Sequence, residues 1–203
     1  GFRFVPNGID TQRFAFQRYS RETLRERLNI SGAIVIGSVG RLCSQKNQSF
    51  LLDAFRAVLR REPLARLLLV GDGEEMFALR KKAARLGVLE KVVFYGTTPS
   101  IEELLWAMDV FAFPSRFEGL GIAAVEAQAA GLPVVMSEFV PEEARLTEAV
   151  RVVPLSSGPE GWAEALLGAV AEPTDRLAGV AGVRNAGFDI ADVAGEIGAY
   201  YLR

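Results

Sequence analysis

Apolar residues fall along this chain in short continuous runs, separated by stretches with helical spacing. The runs are 33–39 (AIVIGSV), 66–70 (RLLLV), 92–95 (VVFY), 110–113 (VFAF), 134–136 (VVM) and 151–155 (RVVPL). Turn residues or polar clusters bound them, and they are too short for core helices, so they predict strands, largely buried on both faces. Helices are predicted between them over 20–28 with Ser20 as cap, 48–60, 74–86, from Ser100 onward, 122–130, 161–171 and 189–201. Arginines on the first helix and Arg80, Lys81, Lys82 and Arg85 on the third read as solvated faces. Alternation of strand and helix predicts an α/β fold: a doubly wound, Rossmann-like, mostly parallel sheet of about six strands with helices on both faces. Residues 1–14 read as an interdomain linker or edge segment, with a short strand at 2–5 and a Pro6-Asn7-Gly8 turn. Residues 15–188 form the domain and 189–203 a closing helix.

The chain is organised around 111–135, FAFPSRFEGLGIAAVEAQAAGLPVV. This is strand, glycine loop, helix, strand, with the loop at the carboxyl end of a strand, where open α/β sheets bind ligands. Free N–H groups at the helix start suit phosphate or sugar oxygens. Gly119 and Gly121 permit close approach to the backbone around Leu120. Glu118 is placed to accept from hydroxyls, and Glu126 follows just over two helical turns later if the helix is regular. Two separated carboxylates beside an anion site suit a nucleotide-sugar, one for the sugar and one for the ribose diol. The competing reading is a helix-start acid and a solvated helix residue; the Ala and Val around Glu126 argue against it, because an isolated carboxylate there is costly.

The loop after the first strand, Gly40-Arg41-Leu42-Cys43-Ser44-Gln45-Lys46-Asn47, lies at the same sheet edge. Arg41 offers a planar fork for phosphate oxygens and Lys46 a mobile point charge, together able to neutralise a diphosphate leaving group. Two solvated loop charges are the alternative. Backbone groups at 95–97 could read a base edge, or serve only the turn. Gly71-Asp72-Gly73 is half a dinucleotide fingerprint without its third glycine, so it reads as turn chemistry more readily than as an NAD site.

Composition removes several classes. The 203 residues are half apolar, enough for a sizeable core, and the net charge of −2 gives no global electrostatic case for nucleic acid. There is no histidine and a single cysteine, Cys43, which excludes within this chain a histidine triad, a typical zinc site and a disulfide framework. Cys43 reads as a small packing residue, and the lone thiol fits a reducing, cytoplasmic compartment. No apolar run approaches 18 residues; peripheral contact with the inner face of a membrane stays open.

VPNGID, GRLCSQKN, GDGEE, FYG and FPSRFEGLGIAAVEAQAAGLPVV, in that order, resemble the nucleotide-binding half of retaining GT-B glycosyltransferases of the family 4, or group 1, type. The run EEARLTEAVRVVPLSSGPEGWAEAL resembles the bacterial exopolysaccharide and capsule branch. The resemblance implies that Gly40, Arg41 and Lys46 hold the diphosphate, that Phe94, Tyr95 and Gly96 lie near the base, and that Glu118 contacts the donor sugar. Gly119, Leu120 and Gly121 would give backbone N–H bonds, and Glu126 would bind the ribose diol. It implies a UDP-sugar as donor, no metal and no other cofactor. It also implies retention by a front-face route in which the departing phosphate oxygen takes the acceptor's proton. Such enzymes carry an N-terminal acceptor domain that is absent here, so the isolated chain is expected to bind donor weakly and to transfer no sugar. A sugar-nucleotide epimerase, a non-catalytic nucleotide-sugar-binding or interaction module and an NAD oxidoreductase are the competing readings.

Overall fold

The computed structural model describes residues 6–201, so the strand expected at 2–5 lies outside the described residues. Among the described residues six strands form one sheet: β1 (Val35–Val39), β2 (Arg66–Val70), β3 (Val92–Gly96), β4 (Val110–Phe113), β5 (Val134–Met136) and β6 (Val150–Val152). Their order is β3-β2-β1-β4-β5-β6 and every pairing is parallel. The chain winds outward from β1 to β3, then returns to β4 and winds the other way. The order therefore reverses between β1 and β4, and a crevice at that point is where such sheets take ligands.

The strands alternate between two apolar layers. Val35, Leu68, Phe111, Phe113, Val134 and Met136 face one cluster, shared with α4 (Ile101–Ala107), α5 (Ile122–Ala129) and α7 (Gly179–Asn185). Ile36, Leu67, Leu69, Val110, Ala112 and Val135 face the other, shared with α2 (Gln48–Leu59), α3 (Met76–Arg85) and α6 (Gly158–Ala171). Trp162 is fully buried and its ring meets Phe50 edge-on. Burial on both faces is why the central strands read as unbroken apolar runs.

Several expectations need correction. The first helix, α1 (Arg18–Arg27), begins before Ser20; its N-cap is Gln17, and the Ser20 hydroxyl bonds the Gln17 side chain instead of a backbone N–H. Its arginines are not all solvated. Arg21 donates to the carbonyls of Trp106 and Met108 and to Asp109, and Arg25, buried, donates to Ala107, Ala33 and Asp109. The last carbonyls of α4 lack intrahelical partners, and these guanidinium groups supply them. Lys82 likewise leaves the wet face to bond Ser49 and Asp53 on α2, and Arg80 lies over the Phe94 ring.

Part of the segment read as linker is packed into the domain. Ile9 pairs with Asp189, Thr11 donates to the Asp189 carboxylate, and Phe14 is buried in a 3-10 turn over Thr11–Phe14. The chain's last helix, α8 (Ile190–Tyr201), follows that bridge. The helix α7 was not expected; a side chain at Gly179 would meet Gln128 O at 2.5 Å, so glycine permits α7 to sit against α5.

Candidate functional site

All strands being parallel, the loops that follow β1, β2, β3, β4 and β5 emerge at one edge. The β1 loop (40–47) and the β4 loop (114–121) meet there, directly over the point where strand order reverses. Backbone and amide hydrogen bonds hold them together. Arg116 N donates to Gln45 O at 2.8 Å, Gln45 Nε2 to Phe117 O at 3.0 Å, and Asn47 Nδ2 to Pro114 O at 3.2 Å. Asn47 is buried, with φ +57, a left-handed conformation that Asn tolerates better than most residues. Gln45 and Asn47 thus position the site, and reading the sequence assigned neither a role. An Asn immediately before a helical pattern was the available signal.

Across that junction Lys46 Nζ and Glu118 Oε1 form an ion pair at 2.7 Å. Both side chains are largely enclosed, at 19% and 6% exposure. The Lys46 ammonium also lies 4.9 Å from the centre of the Phe113 ring, a cation–π contact that steadies it where the phenyl face excludes water. The cationic and acidic loops predicted to share a rim are therefore in direct contact.

Arg41 behaves differently. Its Nε bonds Glu74 at 3.1 Å in the β2 loop, with both side chains mostly exposed at 73% and 58%. A pair so exposed is weak and easily exchanged for another anion. The glycines of Gly71-Asp72-Gly73 serve loop packing. A Cβ on Gly71 would stand 2.1 Å from Gly40 O, and one on Gly73 2.4 Å from Leu42 O. Only bare backbone lets the β2 loop lie against the β1 loop, where Gly40 N bonds Val70 O and Leu42 N bonds Asp72 O, each at 2.9 Å.

On the β4 loop, Gly121 is the N-cap of α5 with φ +86, and a Cβ there would press on Phe113 at 2.9 Å. Gly119 faces open space. Among the described residues no backbone acceptor takes the N–H groups of Gly119, Leu120 or Gly121. They remain available to an anion or hydroxyl at a helix N-terminus. The Leu120 side chain packs on the core, so only its backbone serves the site.

Glu126 is the fifth residue of α5. It is half-buried, and no hydrogen bond to its carboxylate is made among the described residues. Burial pushes its pKa up to about 7; Arg13 opposes this and Glu102 adds to it. Those two bond each other, Arg13 Nε to Glu102 Oε2 at 2.9 Å. The charges around Glu126 thus come from the first 3-10 turn and α4, while Glu118 pairs with Lys46.

Phe94, Tyr95 and Gly96 end the edge strand β3. The Arg80 guanidinium covers the Phe94 ring at 4.5 Å, Tyr95 is 36% exposed, and Gly96 O already accepts from Gly71 N at 2.8 Å. A groove of about 580 Å³ adjoins the β1–β4 junction, lined in part by Asn47, Arg116 and Phe139. A second cavity, about 520 Å³, opens at the opposite edge near Pro133, Thr147 and Thr174. Among the described residues no group of three or more His, Cys, Asp or Glu is placed to hold a metal ion, and no helix is long and apolar enough to cross a membrane.

Comparison with known proteins agrees with this fold. A family model described as glycosyl transferases group 1 matches residues 33–172. The putative glycosyltransferase EpsF of Bacillus subtilis is 35% identical over 170 residues, covering 82% of this chain and 44% of its own length. A GDP-mannose-dependent alpha-(1-6)-phosphatidylinositol monomannoside mannosyltransferase of Mycolicibacterium smegmatis is 41% identical over 141 residues, 64% of this chain and 37% of its own. The crystal structure of Anabaena HepE in complex with UDP and glucose superposes with a TM-score of 0.83 at 25% identity, covering 98% of this chain and 56% of that one. The chain thus spans less than half the length of these two curated relatives. With a matching family model across most of its length and the β1–β4 loop junction in place, the chain belongs to the group 1 glycosyl transferases.

Proposed function

We propose that this chain is the donor-binding half of a retaining hexosyltransferase that uses a UDP-sugar. The observation that carries the proposal is the Lys46–Glu118 contact across the β1–β4 junction, beside the unbonded N–H groups of the glycine loop. A pyrophosphate needs fixed positive charge and N–H donors; a hexose needs a carboxylate for its hydroxyls. This edge supplies both within one side-chain contact. Lys46 and Arg41 neutralise the diphosphate, with Gly40 letting it approach the β1 loop. Glu118 orients the sugar, and the N–H groups of Gly119, Leu120 and Gly121 bind sugar or phosphate oxygens. Glu126 accepts from the ribose diol, and the end of β3 at Phe94, Tyr95 and Gly96 borders the base.

In the full-length protein an acceptor domain closes over this edge. The C1–O bond to the diphosphate breaks, the acceptor oxygen bonds C1 on the same face, and its proton passes to the departing phosphate oxygen. No metal and no cofactor besides the donor take part. UDP is favoured by the likeness to HepE, which was crystallised with UDP and glucose. A glycan or lipid-linked acceptor, met in the cytoplasm at the inner face of the plasma membrane, is supported by relatives whose names specify phosphatidylinositol monomannoside or diphosphoundecaprenol acceptors. The exopolysaccharide and capsule branch fits the likeness to EpsF and to the Vi polysaccharide biosynthesis protein of Salmonella typhi.

Thermal shift of the isolated chain against UDP, GDP, ADP, NAD and free sugars is the test. UDP and UDP-sugars are expected to raise Tm and NAD to leave it unchanged. No response to any nucleoside diphosphate contradicts the proposal and favours a non-catalytic interaction module. Sugar transfer is expected only when the acceptor half is restored.

A further inference from the structure

Lys46 and Glu118 have been assigned to different parts of the donor, yet they hold each other. The Lys46 stem has little room to avoid this. Its Cε lies 3.3 Å from where a Cβ would stand on Gly40, and its ammonium sits over the Phe113 ring. Glu118 has little room either, at 6% exposure, and the only hydrogen bond made to its carboxylate among the described residues comes from Lys46. A carboxylate so enclosed is costly once its partner leaves, unless another donor replaces it.

We infer that Glu118 and the incoming diphosphate compete for the Lys46 ammonium, and that the attached sugar decides the competition. When a nucleotide-sugar enters, sugar hydroxyls donate to Glu118, so Lys46 can turn to the phosphate without stranding the carboxylate. When a bare nucleoside diphosphate enters, nothing replaces Lys46 at Glu118. Either the ion pair persists and the phosphate loses a cation, or the pair breaks and Glu118 is left buried and unpartnered. The pair thereby discriminates for substrate and against the diphosphate product, which favours product release. Glu118 acts here as a positioning residue for Lys46 in addition to its contact with sugar. This rests on the donor-site reading above.

The test is calorimetric titration of the chain with UDP and with UDP-glucose, for the wild type, Glu118→Gln, Lys46→Met and the double variant. E118Q keeps the shape of the side chain and removes its charge. It is expected to bind UDP roughly tenfold more tightly than the wild type, the order carried by a largely buried charge pair. UDP-glucose affinity is expected to gain less or to fall, so the ratio of the two Kd values narrows. In the Lys46→Met background E118Q is expected to leave UDP affinity unchanged. Unchanged or weaker UDP binding by E118Q, or the same gain without Lys46, overturns the inference while leaving the donor site standing. A wild-type chain that binds no UDP, GDP or ADP overturns both. Should E118Q fail to fold, Lys46→Met read alone decides: it must cost UDP-glucose more affinity than UDP, and equal losses contradict the competition.

Discussion

Glu126→Gln is expected to make the domain more stable at pH 8, by about 2–3 kcal/mol, and to leave stability near the wild-type value at pH 4. The cause is the apolar helix around it. Ala124, Val125 and Ala127 are buried, and the carboxylate between them lacks a hydrogen bond among the described residues. Burial raises its pKa from 4.5 to about 7 in the folded chain. A raised carboxyl pKa means that folding favours the protonated form. Its stabilising effect is complete below the unfolded value and is lost as pH rises through the folded one. Above pH 7 the native state carries a charge it solvates poorly, and neutral Gln relieves it. Most substitutions at half-buried positions destabilise, so a gain is diagnostic. Urea unfolding at pH 4, 6 and 8 measures it; a Gln variant less stable than wild type at pH 8 contradicts burial as the cause. The same variant is expected to bind nucleoside diphosphate more weakly, because the ribose diol loses an ionised acceptor. Wild-type affinity should accordingly rise between pH 6 and pH 8, as Glu126 ionises. A residue that costs stability and supports binding has the signature of a ligand contact.

Asp109→Ala is expected to destabilise the chain by about 3–5 kcal/mol, the range for removing one partner of a buried charge network. Asp109 lies just before β4. Its carboxylate accepts from Arg21, Arg25 and the backbone N–H of Val35, while its own N–H bonds Val35 O at 2.8 Å. It therefore stitches β1 to β4 at the edge opposite the site. Removing it leaves Arg25, 9% exposed, without its carboxylate, close to Arg21 and Arg176. Burial, and then the charge of Arg21, already lower Arg176 to about 9. At roughly 2–4 °C per kcal/mol for a chain of this size, Tm should fall by about 6–20 °C. Below the transition UDP affinity should persist, since Lys46 and Glu118 stand at the other edge. A loss under about 1 kcal/mol would mean the arginines find other partners.

How much of this was legible beforehand follows from what each segment buries. The strands at 66–70, 110–113 and 134–136 are bounded where the residue runs placed them, because parallel strands enclosed on both faces favour apolar residues at nearly every position. The glycine loop and its helix were legible for a similar reason: Gly121 and Pro133 punctuate the chain where backbone geometry demands it. Arg21 and Arg25 were not, because a buried arginine on a helix has the same spacing as a solvated one, and the carbonyls of Trp106, Met108 and Ala107 that they reach lie more than 80 residues away. The helix α7 escaped notice because Gly179 and Gly182 weaken the helical pattern, while Gly179 permits close packing on α5. In the site, residue type and loop position placed Lys46 near Glu118. That they would bond each other, with Arg41 turned to Glu74, depends on side-chain reach that no sequence pattern carries. The neighbours of Glu126, Arg13 and Glu102, come from segments remote in the chain and were unreadable in the same way.

The central claim is that one diphosphate and its attached hexose lie across the junction of the β1 and β4 loops. A crystal structure of the chain grown with a non-hydrolysable UDP-hexose analogue tests it most directly. The expected result is the diphosphate within hydrogen-bonding distance of Lys46 and the glycine-loop N–H groups, with hexose hydroxyls on Glu118 and the ribose diol on Glu126. An analogue bound at the opposite edge, in the cavity near Pro133 and Thr174, would contradict it.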